Sequence, residues 1–310
     1  MKRYLLPTII LMSLSLFACG YDDDSQIAVI SREAGSGARS VFEELVDVNV
    51  RGTNLMTQDA IISNGNGVVA NTIIQNPLAI GYISYATLID RGDDLRSLYI
   101  NGVAPTIENM TSGDYPLVRP FSFVYFPENI GEIERAFIAF TQSADGLAIL
   151  AEAGSIVDPS MATPFELDHF DLHAIDRQAE VGSIPFGGTT STELTAMLLI
   201  DAFTNFLPQV DITYEAVGSS TGLRGIDDEI FTLGFISRDL TELELASGLN
   251  KITYCLDGIV VVVHPDNDII GITTQQLRDI YLGIITDWAE IQSNQGPNIK
   301  QNINSRIILG

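Results

Sequence analysis

Short apolar runs alternate with longer segments in which apolar residues recur every three or four positions along most of this chain. The runs predict buried strands, and the longer segments predict helices with one apolar face. The first strand is predicted at 26–31 and a helix follows over 38–48. The other predicted strands are 79–84, 120–126, 182–186, 210–217, 231–236 and 258–263, and the other predicted helices are 133–151, one that begins near 190, and 274–281.

Strands that alternate with helices predict an α/β fold with mixed, mostly parallel sheets flanked by helices. The run 258–263 holds four consecutive valines, which is typical of a parallel strand buried on both faces. Leu194, Leu198, Phe203 and Leu207 recur at helical spacing and are predicted to face the core. Between the two halves, 158–181 shows no clean period, and we interpret it as a surface connection.

The first residues have the pattern of a targeting segment. A basic start precedes an apolar stretch too short for a comfortable membrane span, and Leu-Phe-Ala-Cys ends it at Cys19. We interpret 1–18 as a signal peptide, Cys19 as a lipid-attachment site and 19–25 as a tether, which predicts a bacterial, extracytoplasmic, lipid-anchored protein. A plain signal peptide cut elsewhere is the alternative.

The net charge of −24 argues against nucleic acid or an anionic membrane surface as a partner. Cys255 is the only cysteine besides Cys19, so no internal disulfide is expected in the exported domain. The three histidines have no metal-ligand spacing, and we expect no metal and no cofactor.

Three short Gly/Ser/Thr loops each follow a predicted strand and open into a helix-like segment. The first amides of a helix lack intrahelical partners and carry partial positive charge, so such an end is a ready anion site. One copy indicates only an ordinary N-cap, whereas three indicate convergence on one oxyanion. The loops are Gly35-Ser36-Gly37, Gly187-Gly188-Thr189-Thr190-Ser191 and Gly218-Ser219-Ser220-Thr221-Gly222.

Several segments match motifs of one family, among them Arg-Glu-Ala-Gly-Ser-Gly at 32–37 and Gly-Phe-Ile-Ser-Arg at 234–238. The others are 75–84, 256–260, 277–283 and 286–288. Through these segments the chain resembles the phosphate-binding protein of bacterial phosphate ABC importers. The resemblance covers nearly all of 26–155 and 182–300.

The resemblance implies a two-lobed, type II periplasmic-binding fold, but the matching segments stand in exchanged order. The chain therefore resembles a circular permutant in which 158–181 joins the former ends. Lobe one is predicted to be 119–258, including that connection, and lobe two to be 26–118 plus 259–310. The chain would cross between the lobes near Pro120 and Gly258. A misassembled tandem gene is the alternative explanation of the order.

The resemblance also implies a phosphate site, with an importer permease as partner and no catalysis. Arg32 would supply the cation, because its guanidinium can bind two phosphate oxygens at once. The hydroxyls and amides implied to surround the anion belong to Thr190, Ser191, Ser219, Ser36 and Gly37.

Two positions depart from the family pattern. Ala38 stands where the family has a threonine, so a hydroxyl donor is missing. Thr232 stands where we align the family aspartate that accepts the proton of hydrogen phosphate. We therefore expect weaker affinity or poorer discrimination of phosphate from sulfate than is usual in the family.

Two other functions are compatible with the sequence. Gly218 to Gly222 fits Gly-x-Ser-x-Gly, so a serine hydrolase using Ser220 with Asp257 and His264 is an alternative. The third hypothesis is a phosphate-sensing or scaffold lipoprotein that kept the fold and lost part of the site.

Overall fold

The computed structural model describes residues 25–50 and 53–294. Thirteen strands lie within these ranges. They are β1 (Ala28–Arg32), β2 (Asn49–Val50), β3 (Thr53–Asn54), β4 (Ile61–Ser63), β5 (Ala79–Ser84), β6 (Arg96–Ser97), β7 (Tyr99–Ile100), β8 (Val118–Tyr125), β9 (Ile184–Gly188), β10 (Ile212–Ala216), β11 (Leu233–Ile236), β12 (Asn250–Val263) and β13 (Gly271–Ile272).

Twelve α-helices connect these strands within the same described residues. They are α1 (Gly37–Leu45), α2 (Asn66–Ile74), α3 (Tyr85–Arg91), α4 (Ile107–Thr111), α5 (Glu132–Thr141), α6 (Ala144–Glu152), α7 (Leu172–Ala179), α8 (Glu193–Thr204), α9 (Ser219–Asp227), α10 (Glu242–Ala246), α11 (Thr274–Tyr281) and α12 (Trp288–Asn294).

One mixed sheet holds most of the strands, in the order β10-β9-β11-β8-β12-β5-β1-β4, with β6 paired to β12. At one end β9, β10 and β11 are parallel, and at the other end β1 is parallel to β4 and β5. Between these ends β8 and β12 run antiparallel to each other and to their outer neighbours. The α/β fold with mixed sheets is confirmed.

The apolar core has two main parts, which meet at β8 and β12. One cluster draws on 29–117 and 259–291, with Ile156 added. The other clusters draw on 121–255. The predicted lobe boundaries stay a prediction, which these clusters support. The permuted order of the halves likewise stays a prediction.

The valine run is buried as expected, but the predicted parallel pairing is wrong. All four valines are fully buried in β12, which pairs antiparallel with β5 and β8. A run buried on both faces reflects a central position in the sheet, and this position does not determine strand direction.

The helix predicted over 133–151 is two helices, α5 and α6. Ser143 interrupts it, because its hydroxyl accepts a hydrogen bond from the Gly146 amide and caps α6. Apolar periodicity continues across this break and therefore does not indicate it.

The connection 158–181 is more ordered than the sequence indicates. It contains the helix α7, which is capped by Asp171 and places Ile175 fully in the core. The predicted inner face of α8 is half right: Phe203 and Leu207 are buried, whereas Leu194 and Leu198 are about two-fifths exposed and Leu199 is buried instead.

The signal peptide 1–18, Cys19 and most of the tether 19–25 lie outside the described residues. Among the helices that are described, none is long and apolar enough to cross a bilayer.

The first turn of α9 packs directly against the end of β9. A Cβ atom added to Gly222 would lie 2.6 Å from the Gly188 Cα, which is well inside contact distance. A glycine at 222 therefore lets the N-terminus of α9 approach the sheet.

We expect Gly222→Ala to lower the free energy of unfolding by about 1–3 kcal/mol, because backbone cannot move aside for the methyl group. Gly67→Ala, in the first turn of α2, is the matched control, since its Cβ would meet only the Arg91 side chain at 3.6 Å. Urea unfolding of both variants checks this, and an equal effect of the two would contradict it.

Candidate functional site

Four loops meet where parallel strands end and helices begin. They lead from β1 to α1, from β4 to α2, from β9 to α8 and from β10 to α9. The first two lie in the segments predicted as lobe two and the others in the segment predicted as lobe one. The Ser220 amide donates to the Gly35 carbonyl at 3.1 Å, and a Cβ on Gly37 would lie 2.4 Å from the hydroxyls of Ser219 and Ser237. The helix N-termini of both lobes therefore face one cleft.

Arg32 is fully buried and connects both sides of this cleft. Its Nε and Nη2 donate to the two carboxylate oxygens of Glu33, each at 2.8 Å. Nη1 donates to the Asn66 side chain at 2.9 Å, and Nη2 also donates to the Thr190 hydroxyl at 2.7 Å. The guanidinium thus lies between two loops of lobe two and one loop of lobe one.

Glu33 is ionised beside this guanidinium. Burial raises the pKa of its carboxyl group, but hydrogen bonds and charge from Arg32, with the Gly65 amide, outweigh burial and hold the pKa below its ordinary value. Tyr82 stabilises the end of β1, because its hydroxyl contacts the Ser31 hydroxyl and the Arg32 amide. Burial raises the pKa of Tyr82 to about 12, so the phenol stays neutral.

Ser191 is buried just before α8. Within the part of the chain that the structure describes, its hydroxyl oxygen makes no hydrogen bond. A buried polar atom without a partner costs free energy, and most such atoms in folded proteins are paired. Among the described residues Arg91 Nε and the hydroxyls of Ser155 and Tyr254 also lack a partner, so it is the position of Ser191 beside the helix starts that makes its hydroxyl a candidate donor to a ligand.

Next to Ser191 lies a cluster of three buried hydroxyls from lobe one. The Ser237 oxygen is 3.0 Å from that of Thr189 and 3.5 Å from that of Ser219. The Ser237 amide donates to Ser219, and the Ser191 amide donates to Thr189. We refer to Thr189, Ser219 and Ser237 as the hydroxyl cluster.

Most residues implied by the resemblance lie at this cleft. Arg32, Thr190, Ser191, Ser219 and Gly37 lie in or beside its loops. Their role as ligands stays a prediction.

The Ser36 hydroxyl caps α1 by accepting from the Arg39 amide. Ala38 is buried in the core of lobe two, so its methyl group packs and only its backbone could serve a ligand.

The placement of Thr232 in the site is wrong. Its amide donates to the Pro185 carbonyl where β11 begins, whereas the cleft lies where β11 ends. The four residues of β11 span about 13 Å between these two ends, at about 3.3 Å per residue. Ser237, directly after β11, is the residue that reaches the cleft.

Three residues at the cleft were missed in the sequence. Glu33 and Ser237 stand within quoted motifs without having been assigned a role there. Asn66 starts α2 after Gly65, which has a φ of +90°. The loop that follows Ser63, with the sequence Asn-Gly-Asn-Gly at 64–67, has the same strand-loop-helix signature as the other three, but with asparagines in place of hydroxyl residues.

The structure keeps apart Asp257 and His264, the two residues that would assist Ser220 in the alternative serine hydrolase. Asp257 is buried in β12, and His264 follows the same strand seven residues later, about 23 Å away in an extended chain. The His264 Nδ1 instead accepts a hydrogen bond from the Asp266 amide. With Asp257 and His264 this far apart, the two cannot assist Ser220 as a triad would require.

The sequence matches the family model of the PBP superfamily domain in two segments, 20–145 and 176–304. It is similar to phosphate-binding protein PstS 2 of Streptococcus pneumoniae, with 29% identity over 302 residues, 94% of this chain and 99% of that protein. With phosphate-binding protein PstS 2 of Streptococcus agalactiae it shares 30% identity over 291 residues, 91% and 94% of the two chains.

Among solved structures, the fold is similar to the phosphate-binding protein of a phosphate ABC transporter from Streptococcus pneumoniae. The TM-score is 0.66 at 30% sequence identity, and the match covers 86% of this chain and 99% of that one.

Proposed function

This chain belongs to the phosphate-binding proteins of the PBP superfamily, and on that premise we propose that it binds inorganic phosphate, or a related tetrahedral oxyanion, between its two lobes. The observation that carries the proposal is the convergence of four helix N-termini on one cleft, where the buried hydroxyl of Ser191 has no partner among the described residues. Amides at helix starts favour an anion, and the unpaired hydroxyl supplies a further donor.

The charge balance around the cleft agrees with this proposal. Arg32 is paired with Glu33, so the two side chains together bring no net charge. Hydrogen bonds from amides, hydroxyls and a neutralised guanidinium can hold an anion at short range. The chain can therefore carry a net charge of −24 and still bind an anion, because long-range repulsion is screened beyond about 8 Å at physiological salt.

The proposal extends to delivery of the anion to an ABC importer permease by a protein tethered outside the cytoplasm through Cys19. The leader pattern at 1–18 and the names of the relatives support this part. A sensing or scaffold role would use the same site without the permease.

We expect Ser191→Ala to separate binding from stability. Removing an unpaired buried hydroxyl should leave the free energy of unfolding unchanged or raise it. The same change should weaken phosphate binding by about 0.5–1.5 kcal/mol, since one hydrogen bond to the anion is lost. Titration calorimetry and urea unfolding measure the two effects.

The matched control for this experiment is Ser155→Ala, at an equally buried serine beyond the end of α6. It should leave phosphate affinity unchanged. Native affinity in Ser191→Ala would contradict the placement of the anion at α8.

We expect sulfate to bind within about a factor of ten of phosphate, because Ser237 follows β11 and offers no carboxylate, and the Glu33 oxygens already accept from Arg32 and the Gly65 amide. Calorimetric titration with each salt checks this, with planar nitrate as the control anion. Tight phosphate binding with no detectable sulfate binding would contradict it.

We expect Cys19→Ala to move the protein from the membrane fraction to the soluble fraction of cells, because a lipid-anchored chain needs that thiol. Phosphate affinity of the purified variant should equal that of the native protein. Unchanged membrane association would argue for another means of attachment.

A further inference from the structure

A buried ion pair lies where the chain passes between the lobes. Arg119 in β8 and Asp257 in β12 are register neighbours, and their side chains are 0% and 1% exposed. The Nε and Nη2 of Arg119 donate to one carboxylate oxygen of Asp257, at 3.0 and 2.8 Å. The other oxygen accepts from the Tyr85 amide at 3.1 Å, at the start of α3. The pair is thereby fixed to both lobes.

The remaining nitrogen of this guanidinium turns toward the cleft. The Arg119 Nη1 lies 3.4 Å from the Ser237 hydroxyl oxygen and donates to it. A guanidinium can only donate, so this contact takes up a lone pair of Ser237 and leaves its hydrogen free to point elsewhere.

Each member of the hydroxyl cluster accepts from one fixed N–H group. Ser237 accepts from Arg119, Ser219 from the Ser237 amide, and Thr189 from the Ser191 amide. The Ser237 oxygen also lies 3.0 Å from that of Thr189 and 3.5 Å from that of Ser219, so hydroxyl hydrogens are shared within the cluster. When Arg119 and Thr189 donate to the two lone pairs of Ser237, the Ser237 hydrogen is left for an outside acceptor, and an oxyanion provides one.

We propose that Arg119, held in place by Asp257, is a positioning residue of the oxyanion site that orients the Ser237 hydroxyl as a donor toward the anion. This inference rests on the proposed phosphate-binding function. Arg119 acts through Ser237, and its charge is neutralised by its partner.

Burying the two charges of this pair costs free energy of desolvation. The variants must therefore remove both charges together. Burial lowers the pKa of Arg119, and burial raises the pKa of Asp257 even though Arg119 opposes that change. Removing one partner would leave an uncompensated buried charge and destabilise the fold. Arg119→Gln combined with Asp257→Asn removes both charges and keeps amides that can hydrogen-bond.

The test compares three variants with the native protein, and calorimetry measures the phosphate affinity of each. Ser237→Ala should weaken binding about tenfold, and Arg119→Gln with Asp257→Asn should weaken it by a similar factor. All three substitutions together should be no worse than Ser237→Ala alone, because Arg119 acts through that hydroxyl. Losses that multiply, or native affinity in the Arg119→Gln/Asp257→Asn variant, would overturn the inference.

Two further variants serve as a control and as a substitute for the double variant. Ser122→Ala removes a different buried contact between β8 and β12, to Thr253, and should bind phosphate normally. If the double variant does not fold, Arg119→Lys replaces it, since lysine keeps the charge and lacks the guanidinium fork. Native protein that binds neither phosphate nor sulfate would refute the proposed function itself, whereas native binding with multiplicative losses refutes only the role of Arg119.

Discussion

The pairing of β8 with β12 is the constraint on which the rest of the molecule depends. These two long strands continue from one core cluster into the other, so both lobes share one hydrogen-bonded sheet. Parallel strands on either side then present their carboxyl ends to a common cleft, as ligand sites in open α/β sheets do. The Arg119–Asp257 pair joins the same two strands, and Arg119 also donates to Ser237 of the hydroxyl cluster. The pairing of β8 with β12 therefore also helps to fix the position of that cluster.

The site was predictable to the extent that its signals are local. A strand, a short polar loop and a helix start are contiguous in sequence, so the loops at Gly35, Gly187 and Gly218 could be found without coordinates. Thr232 was misplaced because motif alignment does not show which end of a four-residue strand faces the cleft. Arg119 carries no local signal, since its partners are Ser237, directly after β11, and Asp257 in β12, both more than a hundred residues away.

The elements of the fold were likewise predicted best where the sequence signal is local. Strand and helix type were correct wherever apolar spacing was strong, as at 79–84 and 274–281. The direction of β12, the continuity of the helix across Ser143 and half of the inner face of α8 were wrong. Strand direction and helix face depend on what packs against the segment, and the break depends on a capping hydroxyl, so apolar spacing is the same for either outcome.

The central position of β12 also determines when the chain can fold. This strand ends at Val263, yet it separates β5 from β8, which are complete by residue 125. A ribosome must therefore release most of the polypeptide before lobe two has its middle strand. Pairing across such long sequence separations is slow, because much chain entropy is lost before the contacts form. A nascent chain that remains unfolded for so long is well suited to threading through a translocation channel, and it also leaves β5 and β8 without the strand that pairs between them, which favours aggregation until β12 is made.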